Sequence, residues 1–450
     1  METRIEKLMA NPRRGLLILA APAIVSMFFQ TMLNFVDFIF VSGLGPGALA
    51  AVQLSFPVFF LLIAFCSGIN IGATALISKR LGEKNKKWAE ETALHAFLLA
   101  IIVAIIFTLV GVLFSEQLAA IQGASPELTK MAGSYIFILF ACCSIFFLSF
   151  ASTAILQAEG DTKTPMKIAL VFTAVNIVLD PIFIYTLGMG IAGAAIATVI
   201  AEAVSVIILA YLFFVRKSTY LGIKPREFIY TPQIIKNILK VGAPAAVTQM
   251  MLSLAVGVVN LILSSFGDLP ISAYGIGFRI DSFAILPVIG LSVGTIPMVG
   301  FYRGAKDCPN IKKVTKIAIT LCIGFGLIVG LLIFLGADGI ASVFTDDPSV
   351  IDMASGYLRI MAFSYPLMGI TIILSSVFQG MGRGIPSLII VFSRAVLVAV
   401  PLCYYLAHFT ELGVTGVWIG ITVSAFVAAI LSLVWITSAF KKFEKACSSG

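Results

Sequence analysis

The sequence predicts an all-α integral membrane protein with twelve transmembrane helices, arranged as two pseudo-symmetric six-helix lobes. Three observations predict this class: the composition, the spacing of long apolar runs, and a repeat between the two halves of the chain. The 450 residues are 60% hydrophobic and only 12% charged, and the mean hydropathy is +1.06. Soluble domains are roughly half apolar and about a quarter charged. The composition is therefore typical of a polytopic membrane protein.

Long apolar runs recur along the whole chain, and each can cross about 30 Å of hydrocarbon as a helix. We predict twelve spans, at 15–41, 49–78, 91–114, 129–156, 165–188, 191–215, 233–263, 271–302, 312–335, 351–378, 385–407 and 414–440. The polar N-terminus METRIEKLMANPRRG and the long apolar run after it do not fit a cleavable signal peptide.

Lysine and arginine are unevenly distributed among the loops. They concentrate in the N-terminus, the even-numbered loops and the C-terminal tail, most densely in KRLGEKNKK at 79–87. The odd-numbered loops carry mainly acids, with Lys130 as an exception. Because cytoplasmic loops carry an excess of Lys and Arg, we expect both termini in the cytoplasm and a plasma membrane location. The net charge of +8 then reflects contact with anionic lipid, and no nucleic acid partner is expected.

The two halves of the chain are related by a shift of 222 residues. APAIVS at 21–26 falls on APAAVT at 243–248, and the register continues without a gap to residue 84. Both halves begin on the same side of the membrane, so they are predicted to be parallel repeats, as in secondary transporters that alternate access by rocking. We predict an N-terminal lobe over 1–215, a connecting segment over 216–236 and a C-terminal lobe over 237–450.

Four acids lie within predicted spans and away from their ends, at Asp37, Asp180, Glu202 and Asp281. A charged side chain near the centre of a membrane helix costs about 2.5–3.5 kcal/mol even on the insertion scale. Such acids either join helices by hydrogen bonds or serve a function, and two acids at one depth favour function.

Asp37 and Asp180 are expected at similar depth in the outer half of the first repeat. Asn176 precedes Asp180 by one helical turn, and Thr198 reaches the same depth on the next span. Two carboxylates with amide and hydroxyl oxygens suit a hard cation such as Na⁺, or a shared proton. Three other polar residues lie near this group: Gln30 and Asn34 on the face of Asp37, and Glu202 one turn beyond Thr198.

The second half differs in its intramembrane charges. It carries Arg279, Asp281, Arg359 and Arg394. Ion pairing between helices is the favoured interpretation, and a substrate contact is the alternative. Prolines such as Pro22 predict kinks, and in a transporter one of these can act as a hinge.

These residues resemble the multidrug and toxic compound extrusion (MATE) transporters, above all their DinF-like archaeal and bacterial branch. The resemblance rests on APAIVSMFFQTMLNFVDFIFVSGLG in the first span, LQAEGDTKTP after the fourth, and NIVLDPIFIYTLGMGIAGAAIAT across the fifth and sixth.

The resemblance implies a V-shaped pair of six-helix lobes and antiport of H⁺ or Na⁺ against organic cations or other xenobiotics. It implies a cation site formed by Asp37, Asn176, Asp180 and Thr198, where Na⁺ would bind if it is the coupling ion. It also implies a hinge at Pro22 and a substrate cavity lined by Gln30, Asn34 and Tyr135. Thr153 stands where close relatives carry Asn, and Glu202 and Asp281 stand where they are uncharged, so we expect the transport stoichiometry and the drug preference to differ. We place Thr153 and Glu202 in the substrate cavity.

The predicted function is therefore a cation-coupled multidrug efflux antiporter, with a lipid or lipid-linked oligosaccharide flippase of the same superfamily as the alternative. No P-loop, GxSxG or HExxH motif is present, and the chain has only two histidines, so no enzyme activity is expected. An intramembrane enzyme or a channel is a weaker alternative. We expect no cofactor beyond the coupling ion, small organic molecules and lipid as partners, and a monomer.

Overall fold

A computed structural model of the chain describes residues 4–122 and 125–448, with side chains to 443. The described chain is helical, in agreement with the predicted class. Its α-helices are α1 (Arg4–Ala10), α2 (Pro12–Ser42), α3 (Pro46–Gly82), α4 (Lys86–Ala120), α5 (Pro126–Ala141), α6 (Cys143–Ala158), α7 (Lys163–Pro181), α8 (Gly190–Ala210), α9 (Pro232–Ser264), α10 (Asp268–Gly304), α11 (Cys308–Ser342), α12 (Pro348–Ala362), α13 (Tyr365–Gly380), α14 (Gly384–Phe392), α15 (Val400–His408) and α16 (Val414–Ser448). Three π-helical segments, Ile182–Thr186, Tyr211–Val215 and Ser393–Ala399, extend or join these helices.

Twelve membrane spans result when each of two bent helix pairs is counted as one span. Ten helical segments are long and apolar enough to cross alone. The α5–α6 pair is bent by 49° and the α12–α13 pair by 53°. The sequence predicted both as single runs, at 129–156 and 351–378. At the first bend, the Thr108 hydroxyl donates to the Phe140 carbonyl at 3.2 Å, which supplies a partner for backbone freed from the helix.

The predicted repeat is visible in the backbone conformation of the turns. Left-handed residues recur at the 222-residue shift: Gly45 with Gly267 (φ 96° and 98°), and Lys84 with Lys306 (both 57°). The residue after each lysine then caps a helix. Asn85 accepts from the Trp88 amide at 3.2 Å, and Asp307 accepts from the Asn310 amide at 3.1 Å.

The chain forms two compact units. Unit 1 comprises Val25–Ala246 and the first residues through Glu6, and unit 2 comprises Lys7–Ile24 and the chain from Val247 onward. Both α2 and α9 therefore begin in one unit and end in the other. The two crossing points, after Ile24 and after Ala246, are again 222 residues apart. The lobe boundaries at 215 and 237 stay a prediction, and residues 1–3, 123, 124, 449 and 450 of those lobes lie outside the described residues.

Paired glycines hold the two crossing helices against their units. In unit 1, a Cβ added at Gly68 of α3 would lie 2.6 Å from the Gly242 carbonyl oxygen of α9. In unit 2, a Cβ added at Gly294 of α10 would lie 3.1 Å from the Ala20 amide nitrogen of α2. Small residues permit this close backbone approach, which supplies van der Waals contact in the absence of a hydrophobic driving force between helices.

Candidate functional site

The candidate site lies in unit 1, between the second half of α2 and the end of α7. Pro181 ends α7 and cannot donate a backbone hydrogen bond, and the π-helical segment Ile182–Thr186 follows it. Tyr185 in this segment donates its hydroxyl hydrogen to the Phe40 carbonyl of α2 at 2.5 Å. This bond fixes the end of α7 against the turn of α2 that follows Asp37.

Two carboxyl groups and one amide form the centre of the site. Asn176 and Asp180 are buried, with 0% and 1% of their surfaces exposed. The Asn176 Nδ2 donates to Asp180 Oδ1 at 3.4 Å. The Asp37 and Asp180 carboxyl groups lie within hydrogen-bonding reach of each other, so a proton or a cation shared between them would relieve their mutual repulsion. Tyr135 of α5 lies within electrostatic range of both.

Three oxygens of this centre have no partner among the described residues. They are Asp37 Oδ1, Asn176 Oδ1 and Asp180 Oδ2, each buried. A buried polar atom without a partner is costly, so its presence indicates a binding role. Among the residues that the structure describes, no group of three or more His, Cys, Asp or Glu side chains is placed to hold a metal ion. A proton or a hard monovalent cation fits these oxygens.

The other predicted site residues have different surroundings. The Thr198 hydroxyl donates to the Ala194 carbonyl of its own helix at 3.0 Å. Glu202 hydrogen-bonds to Ser149 of α6, so its carboxyl group is engaged by a residue outside the predicted set. Gln30 and Asn34 are exposed on α2, Thr153 is half-buried, and Pro22 is buried inside α2. The described contacts thus join Asp37, Asn176, Asp180 and Tyr135.

Unit 2 holds a second buried acid, Asp281 of α10. The Tyr357 hydroxyl of α12 donates to Asp281 Oδ2 at 2.5 Å, and the Tyr365 hydroxyl of α13 donates to Oδ1 at 2.7 Å. Sequence reasoning missed both tyrosines, because hydropathy does not show which faces of α12 and α13 meet α10. Arg359, by contrast, forms an ion pair with Asp338 of α11 at 2.6 Å, as the favoured interpretation expected.

Two six-helix repeats with intramembrane carboxyl groups define a secondary-transporter type of membrane protein. A family model described as MatE matches the chain twice, over residues 22–182 and 244–405, which follows the repeat. The chain belongs to this family, the MATE transporters, as the resemblance implied.

Individual relatives match over nearly the whole chain. The probable multidrug resistance protein YoeA of Bacillus subtilis is 29% identical, over 98% of this chain and 98% of its own. A solved structure described as the outward-facing conformation of a multidrug resistance MATE family transporter is 32% identical over 99% of this chain and 100% of its own, with a TM-score of 0.95. A MOP superfamily transporter from Pyrococcus furiosus has the same identity, coverage and TM-score, and is described by a reversed polarity of its binding pocket that suggests a different function.

Proposed function

We propose that this protein is a multidrug efflux antiporter that exchanges H⁺ or Na⁺ for organic cations or other xenobiotics by alternating access. One observation carries the proposal: two neighbouring carboxyl groups and an amide, all on helices apolar enough to span a membrane, present three buried oxygens that have no partner among the described residues. The relatives named as multidrug resistance proteins support efflux as the direction and drugs as the cargo. The basic loops support a plasma membrane location with both termini in the cytoplasm.

The residues of the site have distinct roles in this mechanism. Asp37 and Asp180 hold the coupling proton between them, and Asn176 orients Asp180 by its amide hydrogen bond. If the coupling ion is Na⁺, the unpartnered oxygens of the same three residues would hold it, and it would supply a positive charge without a proton. Because Asp37 lies on α2 after buried Pro22, a change in its occupancy can alter α2 and the affinity for substrate.

The proposal is tested in proteoliposomes loaded with ethidium, with a pH gradient alone or a Na⁺ gradient alone. Wild-type protein is expected to transport ethidium under one of these gradients, and Asp37→Asn is expected to lose that transport, because the amide cannot exchange a proton or neutralise a cation. Asp268→Asn, which alters an exposed acid in the first turn of α10, is the matched control and should retain it. Gradient-driven transport by folded Asp37→Asn would contradict the assignment.

A lipid or lipid-linked oligosaccharide flippase is the second candidate. Arginine residues within the spans of unit 2, at positions 279 and 394, favour it because a lipid phosphate needs cationic partners. The different function suggested for the Pyrococcus furiosus transporter is a second reason to test the flippase alternative. Movement of labelled phospholipid between leaflets without an ion gradient, combined with no ethidium transport under either gradient, would establish this alternative.

A further inference from the structure

Unit 2 contains an arginine at membrane depth whose hydrogen-bonding capacity is unused. Arg394 lies in the π-helical segment Ser393–Ala399, between α14 and α15. Its guanidinium forms neither a hydrogen bond nor an ion pair with any residue that the structure describes. A guanidinium offers five N–H donors in a planar fork, and in hydrocarbon such donors are strongly disfavoured without acceptors.

The nearest acid does not satisfy these donors. Asp281 lies within electrostatic range of Arg394, as do Tyr274 and Tyr357. Each carboxylate oxygen of Asp281 already accepts from a tyrosine hydroxyl, at 2.5 and 2.7 Å. Asp281 therefore balances the charge of Arg394 without acting as its hydrogen-bond partner.

Aromatic packing holds this arrangement in place. The Trp418 ring of α16 stacks on Tyr274, with ring centroids 5.8 Å apart, and meets the Tyr357 ring edge-on at 4.8 Å. All three side chains are buried. Since Tyr357 also donates a hydrogen bond to Asp281, the packing fixes the acid in position within electrostatic range of Arg394.

The intramembrane charges of the two units have opposite balance. Unit 1 carries the acids Asp37, Asp180 and Glu202 along its spans. In unit 2, the interior of α10 and the π-helical segment Ser393–Ala399 carry two arginines, Arg279 and Arg394, against one acid, Asp281, whereas Asp268 and Arg303 lie in the first and last turns of α10. A ligand that bears an anionic group would therefore be recognised by unit 2 and not by unit 1.

We propose that Arg394 is the centre of a second ligand subsite, in unit 2, that recognises a carboxylate or phosphate group. The planar fork of the guanidinium matches two oxygens of either group. Asp281, held by Tyr357 and Tyr365, is a positioning residue that keeps the guanidinium in place before the ligand arrives. The substrates of this protein then include zwitterionic or anionic amphiphiles in addition to cations, an extension that rests on the proposed transport function.

Direct binding tests the subsite without any ion gradient. The probes are a rhodamine dye with a free carboxyl group and the methyl ester of the same dye, titrated against the purified full-length protein in detergent. Arg394→Gln is expected to weaken binding of the carboxyl dye by about tenfold or more, the usual loss for a charge-assisted hydrogen bond. It should change binding of the ester by less than about twofold, because the ester carries no anion.

Two further variants keep the result interpretable. Arg359→Gln is the matched control, since this arginine of the same unit pairs with Asp338 and is exposed, and it should bind both dyes like wild type. Arg394→Lys keeps the charge but loses the fork, so its affinity for the carboxyl dye should be intermediate. Equal weakening of both dyes by folded Arg394→Gln and Arg394→Lys, or no weakening, would overturn the subsite.

The source of the anion is decided by competition. If short-chain phosphatidic acid displaces the carboxyl dye from wild-type protein, and binds Arg394→Gln about tenfold more weakly, the subsite recognises lipid phosphate. If it does not compete, the subsite recognises the carboxylates of drug-like ligands. Ethidium transport by wild-type protein reports on the proposed antiport separately, so either proposal can fail while the other stands.

Discussion

At the residue scale, the sequence predicted the centre of the candidate site but not its full surroundings. Asp37, Asn176 and Asp180 were selected by depth, since helical rise places residues at equal distances from the membrane surface at one level. Depth does not fix the direction of a side chain around the helix axis. Glu202 was therefore predicted near the site from its position one turn beyond Thr198, whereas its carboxyl group interacts with Ser149 of α6.

Asn176 offers a test that separates function from stability. Asn176→Leu has similar volume. It removes one buried oxygen that has no partner, but it also removes the amide donor of Asp180, so the two effects oppose each other and the stability measured by thermal unfolding should change by no more than about 1 kcal/mol. Gradient-driven ethidium transport should fall at least about tenfold, because Asp180 loses its amide donor and the site one oxygen ligand. Thermal unfolding and proteoliposome transport of the same preparation measure both effects.

The opposite outcome for Asn176→Leu would also be informative. A lower melting temperature with unchanged transport would show that the amide serves the packing of α7 and has no part in coupling. Thr173→Val, on the same buried face of α7, is the matched control and should leave transport near the wild-type level.

At the element scale, the connecting segment after α8 is fastened to unit 1 by side-chain contacts that the sequence did not reveal. Glu159, beyond the end of α6, accepts from the Tyr220 and Leu221 amides at 3.0 and 2.8 Å. Glu90 accepts from the Gly222 amide at 2.9 Å. His95 of α4 accepts from the Thr231 amide at 2.8 Å. In each of these bonds the donor on the connecting segment is a backbone amide. Every residue except proline has such an amide, so the residue types of the segment do not predict the bonds.

The contacts of His95 define its proton position. Its Nδ1 lies 2.7 Å from the Glu91 carbonyl oxygen, which can only accept, whereas its Nε2 faces the Thr231 N–H, which can only donate. The bound form of His95 is therefore the neutral tautomer with the proton on Nδ1. His95 is thus a fixed anchor for the far end of the segment.

Glu159 makes docking of this segment dependent on pH. Burial, with 4% of the residue exposed, raises the pKa of Glu159 from 4.5 to about 7, against the lowering effect of the two amide bonds and of Arg4. When the segment undocks, the carboxyl group regains water and an ordinary pKa. Docking is therefore strongest below about pH 4.5 and is weakened by about 3 kcal/mol as pH rises through 7.

Hydrogen exchange of the Tyr220 and Leu221 amides, corrected for intrinsic rates, measures this dependence. Protection in wild-type protein should fall between pH 5 and 8, whereas Glu159→Gln, which cannot ionise, should show a flat profile. The nearby charges Asp161, Arg4, Glu90 and Lys86 are retained in the variant. Glu227→Gln, an exposed acid paired with Lys224 in the same segment, is the control. A profile of Glu159→Gln that still falls with pH would place the titrating group elsewhere.

The glycine contact between α3 and α9 gives a second test at this scale. Gly68→Ala would place a Cβ 2.6 Å from the Gly242 carbonyl oxygen, so unfolding should become easier by about 1–3 kcal/mol. Gly257→Ala, in an open part of α9 with nothing within 4 Å, should be neutral or stabilising because alanine favours helix. Thermal unfolding in detergent compares the two, and equal stability would show that α9 shifts freely against α3.

The bends and π-helical segments show where the sequence carried too little information at this scale. A membrane span is recognised by the length and apolar composition of a run, both of which the sequence contains. Twelve spans were therefore predicted in the correct order. No proline lies near the bend at Cys142, because the one proline of α5 is Pro126 at its start. No local signal in the sequence therefore marked this bend. Its partner bend is followed by Pro366 in α13, and the repeat relates the two positions.

At the scale of the whole molecule, the repeat was the most reliable prediction. The shift of 222 residues recurs in the turn conformations, the capping residues and the crossing points of α2 and α9. The sequence did not predict which unit each half of α2 and of α9 belongs to, because an apolar helix gives no sign of which neighbour each of its halves packs against. The glycines at 68, 72, 290 and 294 recur at the same shift, yet their contacts are visible only in the structure.

The exchange of half-helices between α2 and α9 has a consequence for biosynthesis and ancestry. Residues 7–24 are synthesised before residues 25–246 of unit 1, yet the rest of their own unit is made only from residue 247 onward. A gene divided within the connecting segment would yield two polypeptides, each bearing a half-helix that belongs to the other. If the repeat arose by gene duplication, the ancestral six-helix chain would have donated this half-helix to a second copy of itself, as an intertwined dimer.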